Sequence, residues 1–421
     1  MSSASPAMME RALERDNVLL PENAGAMAWR ALVLVGLGLI AATFYAGWSE
    51  NALTAKVALH AYHIGVVYAI GLSLGALGFV LIFHQTNAGW VSAIRRQFEN
   101  LMSLIWVGGI MFGLLLVMQY LFTDKYKDGD AYLFNWMNLA KFGGDHLLEK
   151  KAGYLNINFF LVRAIIYFIV WLGLGAALYA FSRRQDTDGD KWHTARARKL
   201  SAVGLILFAF TTAFAGFDWL MSLDYHWYST MFGVYFFAGN AVSTLSMIIL
   251  VLLTLRMFGR LAGAFTEEHM HDLGKILFAF VVFWAYVGFS QYFLIWYANI
   301  PEETAYFLVR KAPGTPWVIL SWALPIGHFI IPFLWLLPRP NRRSPWRLAV
   351  ACILLLVMHG ADLFFNVRPQ AGEVFHWADV TGIAGPILLM VGMIIRQVGR
   401  SPLIPLQDPR LPEALSHKNY V

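Results

Sequence analysis

SAVGLILFAFTTAFAGFDWLMSLDYHWYSTMFGVYFFAGNAVSTLSMIILVLLTL, Ser201–Leu255, decides the fold. Two apolar runs, 201–220 and 228–255, are joined by about seven residues. A helix needs about 20 mostly apolar residues to cross hydrocarbon. Both runs meet that length, and neither alternates with the period of two that a half-buried strand shows. A polar joint between two such runs is the turn of a helical hairpin across a bilayer. There every backbone N–H and C=O must be satisfied within its own segment.

The same criterion applied outward finds ten segments. They are roughly 27–48, 57–83, 101–122, 156–181, 201–220, 228–255, 274–297, 317–337, 346–366 and 376–398 of the 421 residues. Composition agrees. Hydrophobic residues make up 58% and charged residues 14%, against roughly 45–50% and 25% in soluble domains. The chain reads as an all-α integral membrane protein with ten transmembrane helices. Residues 1–26 are too polar for a cleaved signal peptide. The 124–155 loop is the only one large enough for its own substructure, with a short amphipathic helix expected near Leu133–Lys141. The tail 399–421 is proline-rich and reads as a peripheral strap. The single cysteine, Cys352, excludes an internal disulfide, a Cys-ligated iron–sulfur cluster and a CxxCH haem site.

The net charge of +6 does not point to nucleic acid, because the basic residues lie in short loops between apolar runs. The loops on the side of both termini hold 21 of them and the opposite loops 9. By the positive-inside rule both termini are then cytoplasmic.

Ionisable residues at membrane depth are costly and mark function by default. On this topology they gather at the outer ends of the helices: His60 and His63, Arg163, Asp218, Gln291 and Tyr297, His359 and Asp362, His376 and Asp379, with Asp224 and His226 in the joint. The inner half has fewer, namely His84, Lys275 and the mid-helix His328. Asp218 lies in the last turn of its helix, where the helix dipole disfavours a carboxylate. It therefore needs a partner or a proton, and suits a proton acceptor, with Asp224 and His226 beside it. The alternative is a turn whose polar side chains satisfy loose backbone ends. Arg163, in YLNINFFLVR (Tyr154–Arg163), needs a carboxylate, and Asp218 or Asp362 can serve. That pair is either structural or part of a proton path. In HGADLFFN, His359 and Asp362 share a helix face at i,i+3 and can relay a proton, or His359 can satisfy a carbonyl. His328 stands between Pro325 and Pro332, whose freed carbonyls it can answer. The same residue suits a relay. A haem is disfavoured, because His359 is read as lying nearer the outer end. Glu302 and Glu303 read as an exposed pair, and Lys275 as a lysine reaching to the interface.

FDWLMSLDYHWYSTMFGVYFFAG (Phe217–Gly239), HDLGKILFAFVVFWAYVGFSQYFLIWYANIPEET (His271–Thr304) and YLNINFFLVR resemble the NrfD/PsrC-like membrane subunits. The likeness is to the second quinone-binding subunit, ActF type, of bacterial alternative complex III, a quinol:cytochrome c oxidoreductase. The resemblance runs from helix 1 to helix 10. It implies two four-helix bundles (helices 2–5 and 6–9) flanked by helices 1 and 10, and a bacterial inner membrane location. It also implies a quinone or menaquinone pocket near the outer face. The implied partners are membrane lipid, a related ten-helix subunit, an iron–sulfur protein and c-type cytochromes. With no cysteine cluster of its own, the chain is expected to carry neither haem nor iron–sulfur cluster and to pass electrons on. The expected function is quinol binding and proton handling. A structural or proton-conducting subunit without redox-active quinol is the alternative. A secondary transporter is disfavoured, because no broken-helix pair recurs in two halves.

Overall fold

The computed structural model describes residues 6–127 and 129–419, with side chains from residue 9 onward and that of residue 302 excepted. Ten helices are long and apolar enough to cross a membrane: α1 (Ala26–Ser49), α2 (Ala52–Gln85), α3 (Arg95–Lys125), α4 (Ile157–Asp188), α5 (Lys191–Trp219), α6 (Phe232–Met257), α7 (Glu267–Ala298), α8 (Pro316–Leu336), α9 (Pro345–Val367) and α10 (Trp377–Val398). The protein is a multi-pass membrane protein, and the described residues contain no strand. The 124–155 loop carries a turn at Asn135–Met137 and short helices at Leu139–Phe142 and His146–Lys151.

α2 is the central column. Its apolar window is 94% buried, against 33% for α1. It packs on α1, α3, α5, α6, α9 and α10. A helix hydrophobic all round is a buried helix, and small residues let its neighbours approach. A Cβ on Gly71 would lie 2.2 Å from Asn240 Oδ1 of α6. One on Gly65 would lie 2.8 Å from the carbonyl of Gly382 in α10. Van der Waals packing of this kind holds helices together where lipid removes the hydrophobic drive between them.

Asn51, Asn156 and Asp190 cap the first turns of α2, α4 and α5 through their side-chain oxygens. α8 is interrupted. Its Pro316–Leu324 and Ile331–Leu336 segments are joined by a wide π turn at Pro325–Ile330, which contains His328. Pro325 and Pro332 each lack an N–H, so the regular ladder cannot run through.

Both termini lie on one face. Val18 accepts from the Leu403 N–H at 2.8 Å, and Asn17 exchanges hydrogen bonds with Ala262 in the α6–α7 loop. The C-terminal tail lies across this face, with Leu403, Ile404, Leu411 and Leu415 buried. Arg95 holds it through Asp408 at 2.7 Å. Burial pushes the Asp408 carboxyl up, but Arg95 and Arg410 outweigh that and hold it well below the usual carboxylate range. A depressed folded pKa stabilises above the unfolded value and is lost as pH falls through the folded one. The tail contact therefore persists at neutral pH and weakens only in acid below the ordinary value of about 3.9. Asp408→Asn is expected to cost about 1–3 kcal/mol, because Arg95 keeps Glu99 at 2.7 Å. Faster proteolysis beyond Arg400 at unchanged helix content is the measurement. A tail equally protected in the variant would show that apolar contacts alone hold it.

Candidate functional site

The face opposite the termini carries the polar residues placed at the outer helix ends, but it divides them among separate clusters; Lys275 instead bonds Asn419 of the C-terminal tail. Asp218 ends α5 beside α4. Arg163 donates from Nε and an Nη to its two oxygens at 2.8 and 2.9 Å, and the Tyr167 hydroxyl donates at 2.7 Å. The guanidinium also donates to the Tyr154 carbonyl and lies over the Tyr154 and Phe159 rings, at 3.8 and 4.4 Å. Asp218, not Asp362, is thus the partner of Arg163. Every oxygen of this carboxylate is engaged by a donor.

Asp224 and His226 lie at the surface. His226 Nε2 meets Asp145 at 2.8 Å, and its Nδ1 is 4.0 Å from Asp224. The Tyr225 hydroxyl also donates to Asp145, and Gln370 donates to Asp224 at 3.3 Å. Desolvation pushes the Asp145 carboxyl up. Donors from Leu147, Tyr225, Leu148 and His226 outweigh that and hold it below its ordinary range. Lys151, whose ammonium donates to the Tyr225 carbonyl, is lowered by burial against the pull of Asp224 and Asp145. These contacts fasten the 124–155 loop onto the α5–α6 joint. They do not reach Asp362 or His359, so these outer-end polar residues fall into separate groups, with Arg163 the one beside Asp218.

Asp379 is paired with Arg368 at 2.6 Å and accepts the N–H of His376 at 2.9 Å, capping α10. His63 Nε2 is 2.7 Å from the Trp219 carbonyl, and His60 Nδ1 is 2.8 Å from that of Lys56. Lys56 itself reaches Asp130 of the long loop at 3.0 Å.

A further cluster is built around Asp362 of α9, which is 2% exposed. Its Oδ1 accepts from the Tyr235 hydroxyl and from Asn366 at 3.1 Å, and its Oδ2 from Trp284 Nε1 at 3.2 Å. The Tyr306 hydroxyl donates to Asn366 Oδ1 at 2.8 Å. Burial pushes that hydroxyl up to about 12, so it stays a donor at working pH. One turn before Asp362 stands His359, and across from it His328 in the π turn of α8, with ring centroids 6.5 Å apart. No ring nitrogen of either has a hydrogen-bond partner. Two expectations are corrected here. His359 does not share a hydrogen bond with Asp362, because Tyr235, Trp284 and Asn366 already occupy that carboxylate. His359 stands eight residues before the end of α9 and His328 twelve residues after the start of α8, so His359 lies nearer the face opposite the termini by about one helical turn. His328 answers no carbonyl freed by its prolines either; its ring packs on Trp284 at 3.9 Å.

Beside this cluster α6, α7, α8 and the short helix Pro301–Lys311 enclose a cavity of about 660 Å³. Tyr235, Trp284 and Asn366 line its inner end, and Gln291 lies on its wall, bonded by Ser229 at 2.7 Å. Tyr286, Phe289 and Trp322 line its rim and are exposed on the membrane-facing side of α7 and α8. Sequence reasoning reached Gln291, His328, His359 and Asp362 but missed Tyr235, Trp284, Tyr306, Arg310 and Asn366. Asn366 was within reach, since it stands four residues after Asp362 in the same motif.

Among the described residues, no group of three or more His, Cys, Asp or Glu side chains is placed to hold a metal ion. A comparison with known protein families finds no matching family model, and a comparison with curated proteins finds no match.

Proposed function

We propose that this chain is a quinol-binding and proton-handling membrane subunit of a respiratory quinol:cytochrome c oxidoreductase, of the NrfD/PsrC-like, ActF type. The observation that carries the reading is the cavity at Asp362. It offers an apolar aromatic slot for a ring and tail, open to the bilayer from which a lipid-soluble quinol comes. Behind the wall formed by Tyr235, Trp284 and Asn366, the Asp362 carboxylate accepts from all three, and the Tyr306 hydroxyl donates to Asn366. Quinol oxidation releases two electrons and two protons. The protons need acceptors, which Asp362 and the free ring nitrogens of His359 and His328 provide. The electrons need another subunit, so an iron–sulfur protein and c-type cytochromes are proposed as partners, with a related ten-helix subunit beside this one.

On this reading the chain sits in a bacterial inner membrane with both termini cytoplasmic, which agrees with the basic-residue count. The two-bundle arrangement, helices 2–5 and 6–9, belongs to the same proposal; α2 packs on α3 and α5 and α6 on α7 and α9, while α2 also packs on α6 and α10 across the two groups.

Filling the slot tests the reading. Ala285 lines the cavity. Ala285→Phe is expected to abolish labelling of this chain by a photoreactive quinone while the complex still assembles. Unchanged labelling, or labelling confined to another subunit, would remove quinol from this cavity.

A second reading, proton conduction without redox-active quinol, is favoured by one observation. The amide of Asn240, on α6 against Gly71 of α2, also has no hydrogen-bond partner, like the rings of His328 and His359. Proton uptake that survives Ala285→Phe would select that reading.

A further inference from the structure

Three guanidinium groups are buried at the face opposite the termini. Arg163 and Arg368 each grip a buried carboxylate, Asp218 and Asp379, through two donors. Arg310 does not. It is 1% exposed, and its donors go to the carbonyls of Phe365 at 3.0 Å, Tyr306 at 2.9 Å and Asn366 at 2.8 Å. Its plane lies over the Tyr306 ring at 3.4 Å. Burial lowers its pKa, with Tyr306 and Asp224 opposing, but a guanidinium keeps its proton in a protein.

Part of this arrangement is a helix cap. Phe365 and Asn366 are in the last turn of α9, whose negative end offers about half a charge. That anchors the short helix Pro301–Lys311 and offsets part of the cation; Asp224 offsets a further part from outside the cavity lining, and no carboxylate pairs with Arg310 directly. The cavity lies on the other side of the same partners, because Tyr306, Phe365 and Asn366 all line it. Lys311, bonded to the Tyr292 hydroxyl, lines it as well, and no Asp or Glu does among the described residues. The carboxylate behind this wall, Asp362, takes three donors of its own and makes no contact with Arg310.

We propose that the cavity is charge-selective, holding a planar aromatic head group most tightly when that head group is an anion. Arg310 is the positioning residue, acting through the Tyr306–Asn366 wall, and Lys311 adds charge at the rim. The inference rests on the quinol reading and goes beyond it by naming the ionisation state of the favoured ligand.

The test uses two probes on the full chain in its complex. One is a 2-hydroxy-3-alkyl-1,4-naphthoquinone, ionised at neutral pH as a vinylogous acid. The other is its neutral 2-methoxy ether. The expected result is at least about tenfold tighter binding of the anion in the unmodified protein, the scale of one charge felt across a single residue layer. Arg310→Gln should remove most of that preference, weakening the anion several-fold more than the ether. Lys311→Gln, at an exposed side chain, should remove a smaller part. Equal binding of both probes to the unmodified protein overturns the proposal, as does equal weakening of both by Arg310→Gln, which is what a purely structural anchor would give. If Arg310→Gln fails to accumulate, the unmodified protein and Lys311→Gln decide. Displacement of the anion by phosphatidylglycerol but not by phosphatidylcholine would reassign the site to a phospholipid head group and overturn the proposal. Binding of neither probe would remove the quinol reading itself, an outcome distinct from equal binding.

Discussion

Asp218→Asn destabilises the helix bundle by about 3 kcal/mol, the lower end of what removing one partner of a buried ion pair costs. The carboxylate takes two guanidinium donors and the Tyr167 hydroxyl. An amide keeps one acceptor oxygen, turns the other position into a donor facing a donor, and removes the counter-charge. Arg163 keeps the Tyr154 carbonyl and two aromatic rings, which is why the loss stops short of the upper end. The melting temperature of the purified protein in detergent should fall, and the double substitution Arg163→Gln with Asp218→Asn should recover a large part of it. A normal melting temperature with slow turnover would return proton chemistry to Asp218. The geometry argues against that outcome, since both oxygens of the carboxylate are already occupied by the Arg163 guanidinium and the Tyr167 hydroxyl.

The spanning helices were legible because each is a long apolar run, and no soluble arrangement could bury so many. The break in α8 was legible in Pro325 and Pro332, although its form as a π turn was not. Periodicity reports which side of a helix avoids lipid, but not which helices meet. Arg163 could therefore be seen to need a carboxylate, while the choice between Asp218 and Asp362 depended on α4 lying against α5. Asp362 has partners from α6, α7 and α9, which are 127, 78 and 4 residues away along the chain. Only the last belongs to a local pattern. Arg310 lies between the apolar runs 274–297 and 317–337, so no periodic segment encloses it. Its burial follows from the short helix Pro301–Lys311 folding back over the bundle, a tertiary event. Asp224 and His226 were grouped with Asp218 because they adjoin it in sequence. The turn at Met221–Leu223 instead directs them outward, onto the 124–155 loop.

Asp362→Asn lowers quinol:cytochrome c turnover by roughly 10²–10⁴, the range that general-base catalysis supplies. The expectation rests on the proposed quinol site. The variant keeps one oxygen to accept from Tyr235 and Asn366 but turns an amide N–H toward Trp284 Nε1, so one hydrogen bond of the three is lost. That costs about 1–2 kcal/mol of stability, less than at Asp218, where a full charge is left unpaired. The two substitutions should therefore separate. Asp218→Asn acts first on melting temperature, and Asp362→Asn first on rate, with the complex intact and the photoreactive quinone still bound. Tyr235→Phe removes one donor from the same carboxylate but leaves it able to take a proton, so its turnover should fall between those of the unmodified protein and Asp362→Asn. Turnover of Asp362→Asn at the unmodified level, with quinone still bound, would leave the cavity as a binding site and move the proton acceptor elsewhere. The remaining buried candidates in contact distance of this cluster are then His359 and His328, whose free ring nitrogens face no competing donor.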